Sequence, residues 1–215
     1  MLEEKLMKVR SRVARSDGRS RSGTGELSGI QWVDRYRGSS SLKDLRGSFR
    51  DRTEAFVDAL QAAGATVTIS ATYRPPQRAY LMHWAWLIVK RDLDPATVPA
   101  MDGVDINWMH EDADGTYSRQ LSVAAARTMV FGFDIQRLGI APSLQSRHTL
   151  GYGIDMNISW NGVLTLPDAD GNIIQIKTSP RSGLNLQLRR VGESYGVIKY
   201  NRAGRDDPHW SDNGA

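Results

Sequence analysis

Three observations predict an α+β domain with helices packed on a small, mainly antiparallel sheet. Segments 48–63 and 118–138 carry apolar residues at helical spacing. Short β-branched or turn-bounded runs lie between and after them, two of them linked by Asn-Gly and Asp-Gly signals. The 215 residues, 40% hydrophobic and 24% charged, suit one soluble globular domain rather than two.

Taken in order, residues 1–29 read as a flexible basic N-terminal segment, and residues 30–215 as a single folded domain. Lys5, Lys8, Arg10, Arg12 and Arg15 stand in an Arg/Ser/Gly context that buries little apolar surface. Aromatic residues do not interleave this tail, so specific nucleic-acid binding is not expected. In 48–63, Phe49, Ala55, Phe56, Ala59, Leu60 and Ala63 recur at helical spacing, and Gly64 ends the helix. Thr66 to Ser70 is β-branched and alternating, a strand. A helix begins at Pro75-Pro76, since proline is tolerated in a first turn, and runs to about Lys90.

Residues 92–117, with Pro95, Pro99, Gly103 and Gly115, read as a long connection, either a groove wall or lid or a plain surface insertion. Helical spacing resumes over 118–138, and 154–159 form a second strand. Turns at Asn161-Gly162 and Asp170-Gly171 place a hairpin of 163–166 with 172–176. A short helix over 182–195 and a final strand over 196–200 follow, and a glycine-containing loop then leads to Asp206 and His209.

Composition narrows the chemistry. The absence of cysteine excludes disulfides, thiolate catalysis and cysteine-ligated metal. A net charge of +4 favours polyanionic surroundings. No run of 18 or more apolar residues is present, so no transmembrane segment is expected. The basic N-terminus lacks the apolar stretch of a secretory signal. Neither a phosphate-binding glycine loop nor Gly-x-Ser-x-Gly occurs, which leaves serine-hydrolase chemistry without support.

The informative residues are Ser146-Arg147-His148-Thr149-Leu150-Gly151-Tyr152-Gly153-Ile154-Asp155 and Asp206-Asp207-Pro208-His209-Trp210. Together they supply two imidazoles and one carboxylate, a normal ligand set for a hydrolytic zinc ion with one position left open for water. A spare carboxylate before the last histidine offers a general base. His148 and Asp155 are too far apart for one helix face. Their spacing suits a loop ligand and a strand ligand, with Gly151 and Gly153 permitting a tight turn. His83 and His110 lack partners at metal spacing, and Trp108 in the long connection is a candidate glycan contact.

Ser-x-His-x-x-Gly-x-x-x-Asp followed by acid-x-x-His-Trp resembles the D-alanyl-D-alanine carboxypeptidase/L-alanyl-D-glutamate endopeptidase family, which includes VanY- and VanX-type peptidases and many phage endolysins. A third segment, Ser70-Ala71-Thr72-Tyr73-Arg74, is similar to that family's Ser-x-x-Tyr-Arg, so the likeness spans roughly Thr66 to Trp210. The resemblance implies a hedgehog/DD-peptidase-like fold over 30–215 and one Zn2+ held by His148, Asp155 and His209. It assigns Asp206, three residues before His209, as the catalytic carboxylate in preference to Asp207. Arg74 inherits a hold on the substrate carbonyl or carboxylate. Beside the site, Ser146 reads as fixing its loop or bonding a ligand from behind, Tyr73 as packing in preference to catalysis, and Trp210 as either shielding one side of the zinc or filling the core.

The implied activity is that of a zinc metallopeptidase of endolysin type, a bacteriolytic peptidoglycan hydrolase. It would cut an amide of the stem peptide, L-alanyl-D-glutamate being favoured because the acid is aspartate and no signal peptide is seen. A phage enzyme of this kind accumulates in the cytoplasm and reaches the cell wall through a separate holin-type pore. A monomer is expected. Two alternatives stand beside this: a D-alanyl-D-alanine carboxypeptidase or dipeptidase, and a non-catalytic zinc-containing wall-binding module.

Overall fold

The computed structural model of the protein describes residues 25–200 and 207–215. Among these the elements run β1 (Glu26–Leu27), α1 (Gly47–Ala62), β2 (Thr66–Ala71), α2 (Pro76–Lys90), β3 (Ile106–Asn107), α3 (Arg119–Gly132), α4 (Arg147–Leu150), β4 (Gly153–Ser159), β5 (Leu164–Pro167), β6 (Ile173–Ile176), α5 (Leu186–Ser194), β7 (Ile198–Lys199) and β8 (His209–Ser211). The fold is α+β, with a four-stranded antiparallel sheet in the order β2-β4-β8-β7. Strands β5 and β6 form the expected hairpin.

Alternation along the strands decides what the sheet buries. Ile154, Met156 and Ile158 of β4 and Trp210 of β8 face one core with Phe56 and Leu60 of α1 and Leu188 and Val191 of α5. Asp155 and His209 consequently face the other way. A second core gathers Leu81, Ala85 and Ile88 of α2 with Ala126, Met129 and Val130 of α3, around Trp32 and Trp108. Burying each large apolar side chain contributes about 1.5–3 kcal/mol. Strand β2 leads directly into α2, so the chain passes from one core to the other at Thr72 to Pro75.

Several elements depart from the sequence pattern, each for a local reason. Strand β8 has no counterpart in the sequence pattern; three residues are too few to show alternation, and pairing with β4 and β7 on either side makes them a strand. Residues 25–29, expected to belong to the flexible lead, are tied in: β1 pairs in parallel with β3, and the Ser28 amide donates to the Asn107 carbonyl at 2.8 Å. The long connection is built rather than loose, with a 3₁₀ turn at Pro95–Thr97 and strand β3. Trp108 is a core residue, 4% exposed, its indole N–H donating to Tyr80 Oη at 3.1 Å, so it offers no glycan contact. Helix α3 stops earlier than its periodicity suggests, because Asp134 adopts a left-handed φ of 55° immediately after the Phe133 cap. Among the described residues no helix is long and apolar enough to cross a membrane.

Gly192 shows how closely α5 seats on the sheet. A Cβ there would lie 2.7 Å from the Trp210 ring and 2.8 Å from the Val197 carbonyl oxygen. Replacing a helical glycine by alanine normally adds about 0.5–1 kcal/mol of stability. Overpacking against backbone outweighs that gain here, so Gly192→Ala should lose about 1–3 kcal/mol. Urea denaturation checks the sign; a stabilised variant would refute this packing.

Candidate metal centre

Local interactions bring three distant side chains together. Asp155 and His209 are direct cross-strand partners on the open face of the β4–β8 pair. A register shift between Ile69 and Ala71 of β2 lies opposite this point and brings Ala71 into register with Asp155. His148 arrives from α4, a single helical turn where the sequence suggests a loop. Ser146 caps that turn reciprocally: its hydroxyl accepts from the Thr149 amide, and its own amide donates to Thr149 Oγ1 at 3.0 Å. Gly151 closes it in the left-handed conformation, φ 77°. Gly153 makes room for it, since a Cβ there would sit 3.1 Å from both the His148 amide nitrogen and His209 Cε1.

The convergence is tight. His148 Nε2 lies 3.0 Å from Asp155 Oδ1 and 3.0 Å from His209 Nδ1, and His209 Nδ1 lies 2.9 Å from Asp155 Oδ1. Both imidazoles are almost fully buried, at 4% and 5% exposure. Their far nitrogens are committed to backbone oxygens, which can only accept. His148 Nδ1–H donates to Thr72 O at 3.2 Å, and His209 Nε2–H donates to Ala215 O at 3.2 Å. In the neutral tautomers the near nitrogens therefore carry lone pairs. Two lone pairs and a carboxylate at this distance repel one another unless a cation sits between them.

That arrangement fits a metal ion. Tetrahedral ligands at zinc-like bond lengths stand about 3.3 Å apart, close to the triangle observed. Among the described residues, His148, Asp155 and His209 form the group whose ligand atoms could hold a metal ion. Where no cation sits there and the near nitrogens carry protons instead, burial still pushes the Asp155 carboxyl upward, but hydrogen bonds and charge from His148 and then His209 outweigh it and hold it well below the usual carboxylate range.

Supporting residues that sequence did not single out brace both histidines. Arg147, next to His148, pairs with Asp212, three residues after His209, and lies over the Tyr152 ring. Lys199, 4% exposed, donates to the carbonyls of Asp207 and His209, pinning β8 to β7. Arg147 and Asp212 are signalled in sequence by their nearness to the motifs, whereas Lys199 is not. The Arg74 amide donates to the His148 carbonyl at 3.2 Å, so the third motif does meet the first.

Tyr73 and Arg74 line a cavity of about 340 Å³ on the β2 side, shared with Ser70 and Arg78. Across α2, a larger cavity of about 530 Å³ is lined by Tyr80, Trp84, Leu144 and Leu150. Trp210 is fully buried in the core behind β8, against Phe56, which leaves it no surface for a substrate. Asp206 lies outside the described residues; Asp207 is exposed and offers its carbonyl to Lys199. His83 donates to Pro142 O at 2.8 Å and His110 sits against Ser28, both away from the centre. No protein-family model and no curated protein sequence matches the chain.

Two outcomes follow from this geometry. Metal-free protein titrated with Zn2+ should bind one ion per chain and gain thermal stability; His209→Ala should weaken that affinity at least about 100-fold, by analogy with the effect of removing even outer partners. In the metal-free state, the depressed Asp155 carboxyl contributes stability that is present above its unfolded value, near pH 4, and is lost as pH falls through the lower folded value. Acid titration of stability should therefore lose that limb in Asp155→Asn, and an unchanged profile would contradict the hydrogen-bonded carboxylate.

Proposed function

We propose that the protein is a zinc-dependent peptidase of peptidoglycan stem peptides. The observation that carries this reading is the convergence of two buried, backbone-oriented imidazoles and one carboxylate on a single point beside an arginine-lined cavity. Two imidazoles and a carboxylate, with no cysteine in the chain, suit zinc. The order and spacing of the three motifs resemble the carboxypeptidase/endopeptidase family residue by residue.

When bound, zinc supplies Lewis acidity toward an amide carbonyl and toward water. The remaining work falls to groups of the chain itself. Thr72 O and Ala215 O fix the tautomers that present His148 Nε2 and His209 Nδ1. Asp206 takes a proton from the attacking water and returns it to the departing amine. Arg74, three residues past β2, holds the substrate's carbonyl oxygen or a carboxylate beside it.

Mass spectrometry of purified peptidoglycan after digestion tests this. Zinc-loaded wild type should release stem peptides with a new N-terminal D-glutamate, while His148→Ala releases none. Asp206→Ala should lose about 10²–10⁴-fold in rate with zinc content unchanged. Loss of terminal D-alanine instead would make it a carboxypeptidase. Zinc binding without any product across several wall types would replace the peptidase by a binding module.

A further inference from the structure

The cavity on the β2 side carries charge that a metal site alone does not require. Arg74, just before α2, and Arg78, in its first turn, both line it, together with the hydroxyl-bearing Ser39, Ser40 and Ser70, and among the described residues no aspartate or glutamate does. Asp34, the acidic side chain that acts on Arg78, is itself 3.0 Å from Arg37 at the exposed surface, so those two charges offset each other. Burial first, and then the field of Arg74, hold the Arg78 guanidinium below its ordinary pKa, the direction expected of a cation short of counter-charge.

Arg78 is also held in place. Its Nη1 donates to Val33 O at 2.8 Å, and its guanidinium lies 4.8 Å from the Phe133 ring centroid. A guanidinium has five N–H donors, so this anchor leaves it capacity for an anion. Ala71, on the cavity wall, is the cross-strand partner of Asp155, and adjacent strands are about 4.8 Å apart. The cavity wall therefore includes a residue directly beside the metal-ligating strand position.

We propose that Arg78 acts with Arg74 as a two-arginine clamp for a free carboxylate on the residue next to the scissile amide, making the protein select acidic stem peptides over their amidated forms. The clamp rests on the peptidase reading for its substrate, and Arg78 is its specificity-determining member. Planar guanidinium forks match a carboxylate bidentately, whereas a neutral carboxamide brings no charge and turns an N–H₂ toward the donors.

The test is a binding titration of zinc-loaded protein with D-γ-glutamyl-L-lysine amide, its α-carboxylate either free or amidated. This fragment lies on the product side, so its binding is read whether or not the protein hydrolyses anything. Wild type should bind the acid at least tenfold more tightly than the amide. Arg78→Gln should bring that ratio near one at unchanged zinc content, and Arg78→Lys should fall between, retaining charge without the fork. A ratio near one in wild type overturns the clamp, as does a ratio untouched by Arg78→Gln. Should Arg78→Gln fail to fold, an undiminished ratio in Arg78→Lys overturns it equally. An intact ratio with no wall product removes the peptidase reading and leaves the carboxylate site. Wall hydrolysis with a ratio of one removes the clamp alone.

Discussion

Lone pairs on His148 Nε2, His209 Nδ1 and Asp155 Oδ1, held within 2.9–3.0 Å of one another, oppose their own arrangement, and the surrounding structure has to resist them. Four independent restraints do so. The antiparallel pairing of β4 with β8 sets Asp155 opposite His209. The Ser146 capping box stiffens the turn that bears His148. The Arg147–Asp212 ion pair ties that turn to the segment after β8. Backbone oxygens of Thr72 and Ala215 hold the ring orientations. Individually such hydrogen bonds contribute only about 1 kcal/mol. Acting on different elements, they leave the ligand atoms little room to separate, which is the preorganisation a cation needs.

The same alternation that builds the core exposes the chemistry. Every second residue of β4 is apolar and buried, and the residue between two of them is Asp155. Along β8, His209 and Trp210 divide the same way: one faces the metal centre while the other anchors the strand against Phe56. A polar site thus rests directly on a packed sheet, without a loop to blur its geometry. Helix α2 then partitions the approach, with Arg74 and Arg78 toward one cavity and Tyr80 and Trp84 toward the other.

Much of this was readable from local pattern. Helices α1 and α2, strands β2 and β4 and the β5–β6 hairpin follow from periodicity and turn residues, because each is decided by neighbours within a few positions. Trp108 and β8 were not readable. A tryptophan amid prolines and glycines looks exposed until Tyr80, 28 residues earlier, supplies its hydrogen-bond partner. His209–Ser211 is a strand only because β4 and β7 flank it. Lys199 gives no sign in sequence that its ammonium is buried under two carbonyls.

By itself, the sequence determined the kind of chemistry available: histidine and carboxylate side chains without cysteine, in three ordered motifs, on an α+β framework. Residue type and local periodicity are short-range properties, and a linear chain states them directly. Tertiary structure alone decided that the three ligand atoms meet, which tautomers they present, and that Arg78 shares a cavity with Arg74. Those facts depend on strand register and on backbone oxygens brought from 6 to 76 residues away, and register and distant acceptors exist only once the sheet has formed.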